Sequence, residues 1–178
     1  MTSYGAYCAM PRSVDLSLRS LAAADVPAIE AILLANRPVF TDEECRTAVE
    51  MIGEALAKPG EEDPYQFLVA EVPGRIAGYA CFGSIPLTKG TFDLYWIAVH
   101  PELHAFGLGK KLLERCEEEI ARQGGRLIIV ETSSRKEYEK TRRFYEKTVR
   151  YETAAWIKDF YKPGDDKVIY IKYVTPHG

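Results

Sequence analysis

The chain has 178 residues, 47% of them hydrophobic and 28% charged, with a formal net charge of −3 at pH 7. These values fit one globular domain large enough to bury a core, and the slight acidity argues against a general nucleic-acid or membrane-surface binder. Four cysteines, Cys8, Cys45, Cys81 and Cys116, stand far apart. None has ligand-like spacing, so no metal site is expected and the thiols read as free, in a reducing compartment. The opening MTSYGAYCAMPRS lacks a basic segment followed by an apolar run, and no stretch approaches ~20 apolar residues. No signal peptide or membrane span is expected, and the cytoplasm is the expected location.

Residues 1–12 read as a flexible leader, and residues 13–178 as the folded domain. VDLSLRSL alternates apolar and polar residues, a strand signature. Asp25 is placed to cap a helix whose apolar stripe is Val26, Ile29, Ile32 and Leu33, broken at Pro38. Thr41 and Glu44 form a capping-box pattern for a second helix, which Pro59-Gly60 ends. YQFLVAEVPGRIAGYACFGSI reads as a hairpin turning at Pro73-Gly74. TFDLYWIAV is a further strand. RLIIVET is apolar enough to be a central strand covered on both faces. Between those two lies a helix carrying the stripe Leu108, Leu112, Cys116 and Ile120, stopped by Gly124-Gly125. YEKTRRFYEK is helical. YETAAWIKDF and KVIYIKYV are strands joined through YKPGDD. The order β-α-α-β-β-β-α-β-α-β-β is an α/β mixture in one domain.

The start of the third helix reverses the usual charge order. Lys110 and Lys111 occupy its first turn and the glutamates come later, although the helix dipole favours acids first. Gly107 and Gly109 remove Cβ atoms where several backbone N–H groups have no helical partner, so an anion, phosphate above all, can approach the main chain. A nucleoside-triphosphate P-loop would need a glycine at 104 and Ser or Thr at 111, where His and Lys stand. A dinucleotide-binding turn would need glycine at 112, which is Leu.

IAVHPELHAFGLGKKLL resembles the acetyl-CoA loop of the GNAT superfamily of N-acetyltransferases. Val99, Pro101, Gly107 and Gly109 match its pattern, and His104 stands where the family usually has Gln or Arg. A second match is Phe144, Tyr145, Glu146 and Lys147, within TRRFYEKTVRYETAAWIKDFY. Tyr138 replaces an asparagine common in the family, and TVRYE replaces a Gly-Phe. The resemblance implies a single-domain fold with a central mixed, mostly antiparallel sheet of about seven strands, splayed in the middle and flanked by about four helices. The splay would lie between the strands around 92–99 and 126–131.

It also implies acetyl transfer from acetyl-CoA to an amine by direct attack in a ternary complex, with CoA as product. A backbone N–H near Ile97 and Ala98 would hydrogen-bond the thioester carbonyl. Val99 would pair with the pantetheine arm, and the pyrophosphate would sit on the amides of His104, Ala105, Phe106, Gly107, Leu108, Gly109 and Lys110. Tyr138 and Thr141 are further cofactor contacts. Tyr145 is the expected general acid for the departing thiolate. Tyr138, Thr141, Tyr145 and Thr148 share one helical stripe.

The general base is left open between Asp93 and Glu131, both near strand ends. Arg135, Lys136, Lys140, Arg142, Arg143, Lys147 and Arg150 form a basic stretch that could meet the 3′-phosphate of CoA or simply be a solvated face. The acidic second helix would border the acceptor cleft and favour a cationic amine. The acceptor is a small molecule or a protein amine, with no nucleic acid and no membrane involved. Exposed strand edges suggest a homodimer. Two other readings stay open: a catalytically silent acyl-CoA-binding module, and a transferase using a longer acyl donor.

Overall fold

In a computed structural model, residues 15–57 and 65–175 are described. The expected leader and the Pro59-Gly60 stop lie outside those residues. The strands are β1 (Ser17–Ser20), β2 (Gln66–Val72), β3 (Arg75–Ser84), β4 (Thr91–Val99), β5 (Leu127–Ser133), β6 (Glu152–Lys162) and β7 (Asp165–Tyr173). They form one seven-stranded sheet in the order β1-β2-β3-β4-β5-β7-β6. Its neighbours are antiparallel except β4 and β5, which run parallel. The α-helices are α1 (Val26–Ala35), α2 (Asp42–Ala57), α3 (Leu108–Arg122) and the short α4 (Glu139–Arg143). A π-helical turn, Phe144–Thr148, continues α4. None of the described helices is long and apolar enough to cross a membrane.

The sheet separates two cores. On one face Leu108, Leu112, Leu113, Cys116 and Ile120 of α3 pack with Phe82, Leu94, Val130, Tyr145 and Tyr170. The predicted α3 stripe is fully buried, each leucine contributing about 2 kcal/mol by leaving water. On the other face Ile29, Ile32 and Leu33 of α1 and Cys45, Ala48 and Ile52 of α2 cover Phe67, Val69, Tyr79, Cys81 and Ala98.

Local signals account for most element ends. Thr41 N–H donates to Glu44 Oε2 (2.7 Å) and Glu44 N–H to Thr41 Oγ1 (3.2 Å), the capping box read from the sequence. The β2–β3 turn uses Gly74 at φ +85°. Asp25 stands at the N-cap of α1, as read, but its side chain makes no bond to that helix; its carboxylate accepts Ala22 N–H (2.8 Å) and both terminal nitrogens of Arg19 (2.7 and 2.8 Å) while only 5% exposed. A charge so buried is held by the opposite charge beside it, and Arg19 therefore fixes its direction.

The split that creates the cleft has a local cause. β4 and β5 pair only at Thr91↔Leu127, Phe92↔Ile128 and Asp93↔Ile129. Just beyond, β3 pairs Phe82 with Leu94 and Cys81 with Trp96, so Tyr95 is an extra residue on β4. Such a bulge bends its strand, and here it turns β4 away from β5 two positions past Asp93, their last paired residue on β4.

Candidate active site

The V between the outer halves of β4 and β5 opens into a cleft of about 550 Å³. Ile97, Tyr138, Thr141 and Tyr145, all predicted site residues, line it. Phe40, Glu43 and Glu44, from the start of α2 and the loop before it, close one side. Ser133, Tyr161 and Asp165, which the sequence reading did not select, also line it, as does Arg135, which it placed only in the basic stretch.

Register decides which backbone groups face the opening. His100 N–H donates to Ala77 O (2.8 Å) while Val99 lies opposite Gly78 and Ala98 opposite Tyr79. In an antiparallel ladder this makes Ala98 the hydrogen-bonded partner of Tyr79. Its N–H and C=O are spent on β3. The N–H groups of Ile97 and Val99 point the other way, toward the split. Of the two residues considered for polarising a carbonyl, the backbone leaves Ile97 free and Ala98 engaged.

The carbonyl of Val99 is engaged as well. It accepts Asn36 Nδ2 (3.0 Å) and His104 Nε2 (2.8 Å). His104 therefore braces the bend after β4 with its side chain. Residues Pro101–Phe106 form a 3-10 turn, and Gly107 enters α3 at φ +68°. No side chain caps the first turn of α3, and that turn holds no acid. A Cβ on Gly107 would meet nothing within 4 Å, and one on Gly109 would only touch Phe144 and Val99 at 3.8 Å. The open space beside these amides fits an anion. Lys110 is exposed and leans toward Glu114 at 3.7 Å.

Tyr145 sits on the α3 side of the split, 2% exposed, stacked on Tyr170 (5.6 Å between centroids) with Tyr151 and Phe144 edge-on. Burial is the main force holding its phenol protonated, well above the ordinary range. A phenol kept neutral is a proton donor. Tyr138 takes a different course from its stripe neighbours. Its hydroxyl donates to Glu44 Oε1 (2.7 Å), and the Arg135 guanidinium lies 5.0 Å above its ring.

Arg135 binds several elements together. Its Nε is 3.7 Å from Asp165 Oδ2, its Nη2 3.7 Å from Glu44 Oε2 and 3.4 Å from Val39 O. Asp165 in turn accepts the Ser133 hydroxyl at 2.5 Å. Arg142 Nη1 donates to the carbonyls of Ser133 (2.7 Å) and Arg135 (2.8 Å). Two of the seven residues in the basic stretch therefore build the loop after β5. Lys136, Lys140, Arg143, Lys147 and Arg150 are exposed.

The two carboxylates considered as bases separate here. Glu131 lines the cleft, but Lys167 Nζ lies 2.5 Å from its Oε2. Asp93 is not among the lining residues and sits at the closed end of the V, opposite Ile129. Glu44 had been legible only as a capping residue, Arg135 only as part of a charge run and Asp165 only as part of a turn. No local pattern marks the three as neighbours.

Comparison with known proteins agrees with this architecture. The sequence profile of the acetyltransferase (GNAT) family matches residues 28–149. A crystal structure of a protein assigned to that family, from Desulfovibrio desulfuricans, is 38% identical, with a TM-score of 0.85 over 90% of this chain and 100% of the other. The ribosomal-protein-S18-alanine N-acetyltransferase of Escherichia coli is 19% identical (TM-score 0.71; 92% and 97% covered). A Salmonella typhimurium protein solved with its cofactor acetyl-CoA is 22% identical (TM-score 0.65; 92% and 96% covered). The latter two likenesses concern the fold. No curated protein matches the sequence. The chain belongs to the GNAT family and is an acetyltransferase.

Proposed function

We propose that residues 13–178 form an N-acetyltransferase domain that moves an acetyl group from acetyl-CoA to a primary amine, by direct attack with both substrates bound. The observation that carries this reading is the unpaired N–H of Ile97 facing a cleft that Tyr145 also lines.

Acetyl-CoA supplies an activated thioester. The amides of Leu108, Gly109 and Lys110, which precede the first bonded N–H of α3, would hold its diphosphate, since a helix N-terminus without a cap favours an anion. The N–H of Val99 would pair with the pantetheine arm as an added strand would. The N–H of Ile97 would donate to the thioester oxygen as negative charge gathers there. Thr141 borders the same wall. Tyr145 would give its proton to the departing sulfur. The exposed cations after Arg135 would face the 3′-phosphate. Phe40, Glu43 and Glu44 border the side from which an amine would enter, and Glu43 favours a cationic one.

Release of CoA thiol against a panel of amines, with acetyl-CoA binding followed by calorimetry, tests the reading. Tyr145→Phe should cut turnover about 10²-fold or more with acetyl-CoA affinity nearly unchanged. An unchanged rate removes the acid role. Acetyl-CoA binding with no turnover of any amine would instead favour a silent acyl-CoA-binding module.

A further inference from the structure

The acceptor must lose a proton before it can attack, and the cleft offers four carboxylates: Glu43, Glu44, Glu131 and Asp165. Asp165 is occupied by Ser133 and Arg135, and Glu131 by Lys167. Among the described residues Glu43 makes no side-chain hydrogen bond. Glu44 differs. Its Oε1 accepts the hydroxyl of Tyr138 at 2.7 Å, and its side chain is one-third exposed to water. The bond crosses the split: Glu44 belongs to α2, which covers one face of the sheet, while Tyr138 begins the helical stripe that carries Thr141 and Tyr145 on the other.

Resting on the transferase reading above, we propose that Tyr138 and Glu44 form the proton-accepting relay for the amine. The ammonium proton passes to Oη of Tyr138 as the hydroxyl proton of Tyr138 passes to the Glu44 carboxylate, which exchanges it with water. The freed nitrogen lone pair forms the C–N bond. The C–S bond breaks with its electron pair on sulfur, and the Tyr145 hydroxyl protonates that sulfur. A second N–H proton leaves as the amide forms, and Tyr145 regains a proton through solvent. The sum is one amide, one thiol and one released proton.

Glu44 has two further partners that fix its aim. Thr41 N–H holds Oε2 at 2.7 Å and Arg135 stands 3.7 Å from the same oxygen, leaving Oε1 to Tyr138. Tyr138 thus has a purpose other than replacing a family asparagine at the cofactor. A mere staple between α2 and the α4 segment would show the same distances, so the test must separate fastening from proton transfer.

The test compares two acceptors at pH 7, an alkylamine with a pKa near about 10 and an amine already neutral at that pH. Tyr138→Phe keeps the ring packed, and Glu44→Gln keeps a residue competent for the capping box. With the alkylamine each variant should lose about 100-fold or more in kcat. With the neutral amine the loss should be under about tenfold, and acetyl-CoA affinity should hold in Glu44→Gln. Equal losses with the two acceptors, or no loss with either, overturn the relay and leave the transferase reading standing. Acetyl-CoA binding by the wild type with no turnover of any amine in the panel overturns both.

Discussion

The Nε2 of His104 lies 2.8 Å from the carbonyl oxygen of Val99, and the same oxygen receives Nδ2 of Asn36 at 3.0 Å. A carbonyl only accepts, so Nε2 is the protonated ring nitrogen. The ring thereby ties the glycine turn to the end of β4, and α1 is tied to the same atom.

His104→Ala should therefore act as a loss of bracing rather than a loss of charge. We expect a drop in stability of about 1 kcal/mol and an acetyl-CoA affinity reduced by less than about tenfold. The dependence of that affinity on salt should stay as in the wild type, because an exposed charge contact would be screened. Calorimetry at two salt concentrations checks this. A flattened salt response in the variant would show that the ring binds phosphate by charge.

Gly109 separates folding from binding. A Cβ there meets only ordinary contacts at 3.8 Å, and alanine is favoured over glycine within a helix by roughly 1 kcal/mol. Gly109→Ala should melt at the same temperature as the wild type or higher, yet bind acetyl-CoA more weakly, because its methyl group fills the anion's approach. Thermal melts and calorimetry on the same preparation test the pair of outcomes. Gly107→Ala should also lose stability, since φ +68° is a conformation that side chains disfavour.

Asp25 makes stability depend on acid. Hydrogen bonds from Arg19, more than the opposing cost of burial, hold its carboxyl below the usual carboxylate range. The stabilisation is complete above the unfolded value, about 3.9, and is lost as pH falls through the lower folded value. Asp25→Asn should cost about 2 kcal/mol at pH 7, a figure moderated by the partial exposure of Arg19. The gap to the wild type should close below about pH 4. Urea titrations at pH 7 and pH 3 measure it.

Asp93 carries the opposite sign. Burial first, and then the charge of Glu131, raise its carboxyl above the usual range, with Lys167 pulling the other way. A raised acid ionises less readily folded than unfolded, so stability falls as pH rises through the unfolded and then the folded value. Asp93→Asn should be more stable than the wild type at pH 7, by up to about 1 kcal/mol, and equal to it near pH 3. A penalty at pH 7 would contradict this.

Much of the fold could be read in advance because its signals are local. The α3 stripe, the Thr41–Glu44 box and the Pro73-Gly74 turn each depend on residues within a few positions of one another, and each stands in the structure as read. The N-cap position of Asp25 was legible, but not the bonds of its carboxylate, because its partner Arg19 lies on the preceding strand, outside the helix. The opening between β4 and β5 was expected from resemblance alone. Its cause, an extra residue at Tyr95, belongs to a pairing register that no short stretch expresses.

The sequence by itself determined the elements, their order and the uncapped glycine turn, since these rest on periodicity and turn chemistry along the chain, and it pointed to the family through the resemblance of two motifs. Only the tertiary structure decided that Ile97 rather than Ala98 has its amide free, that His104 braces Val99, and that Glu44 meets Tyr138 across 94 positions of sequence. Hydrogen bonds act over a few ångströms of space, and folding brings distant positions within that reach.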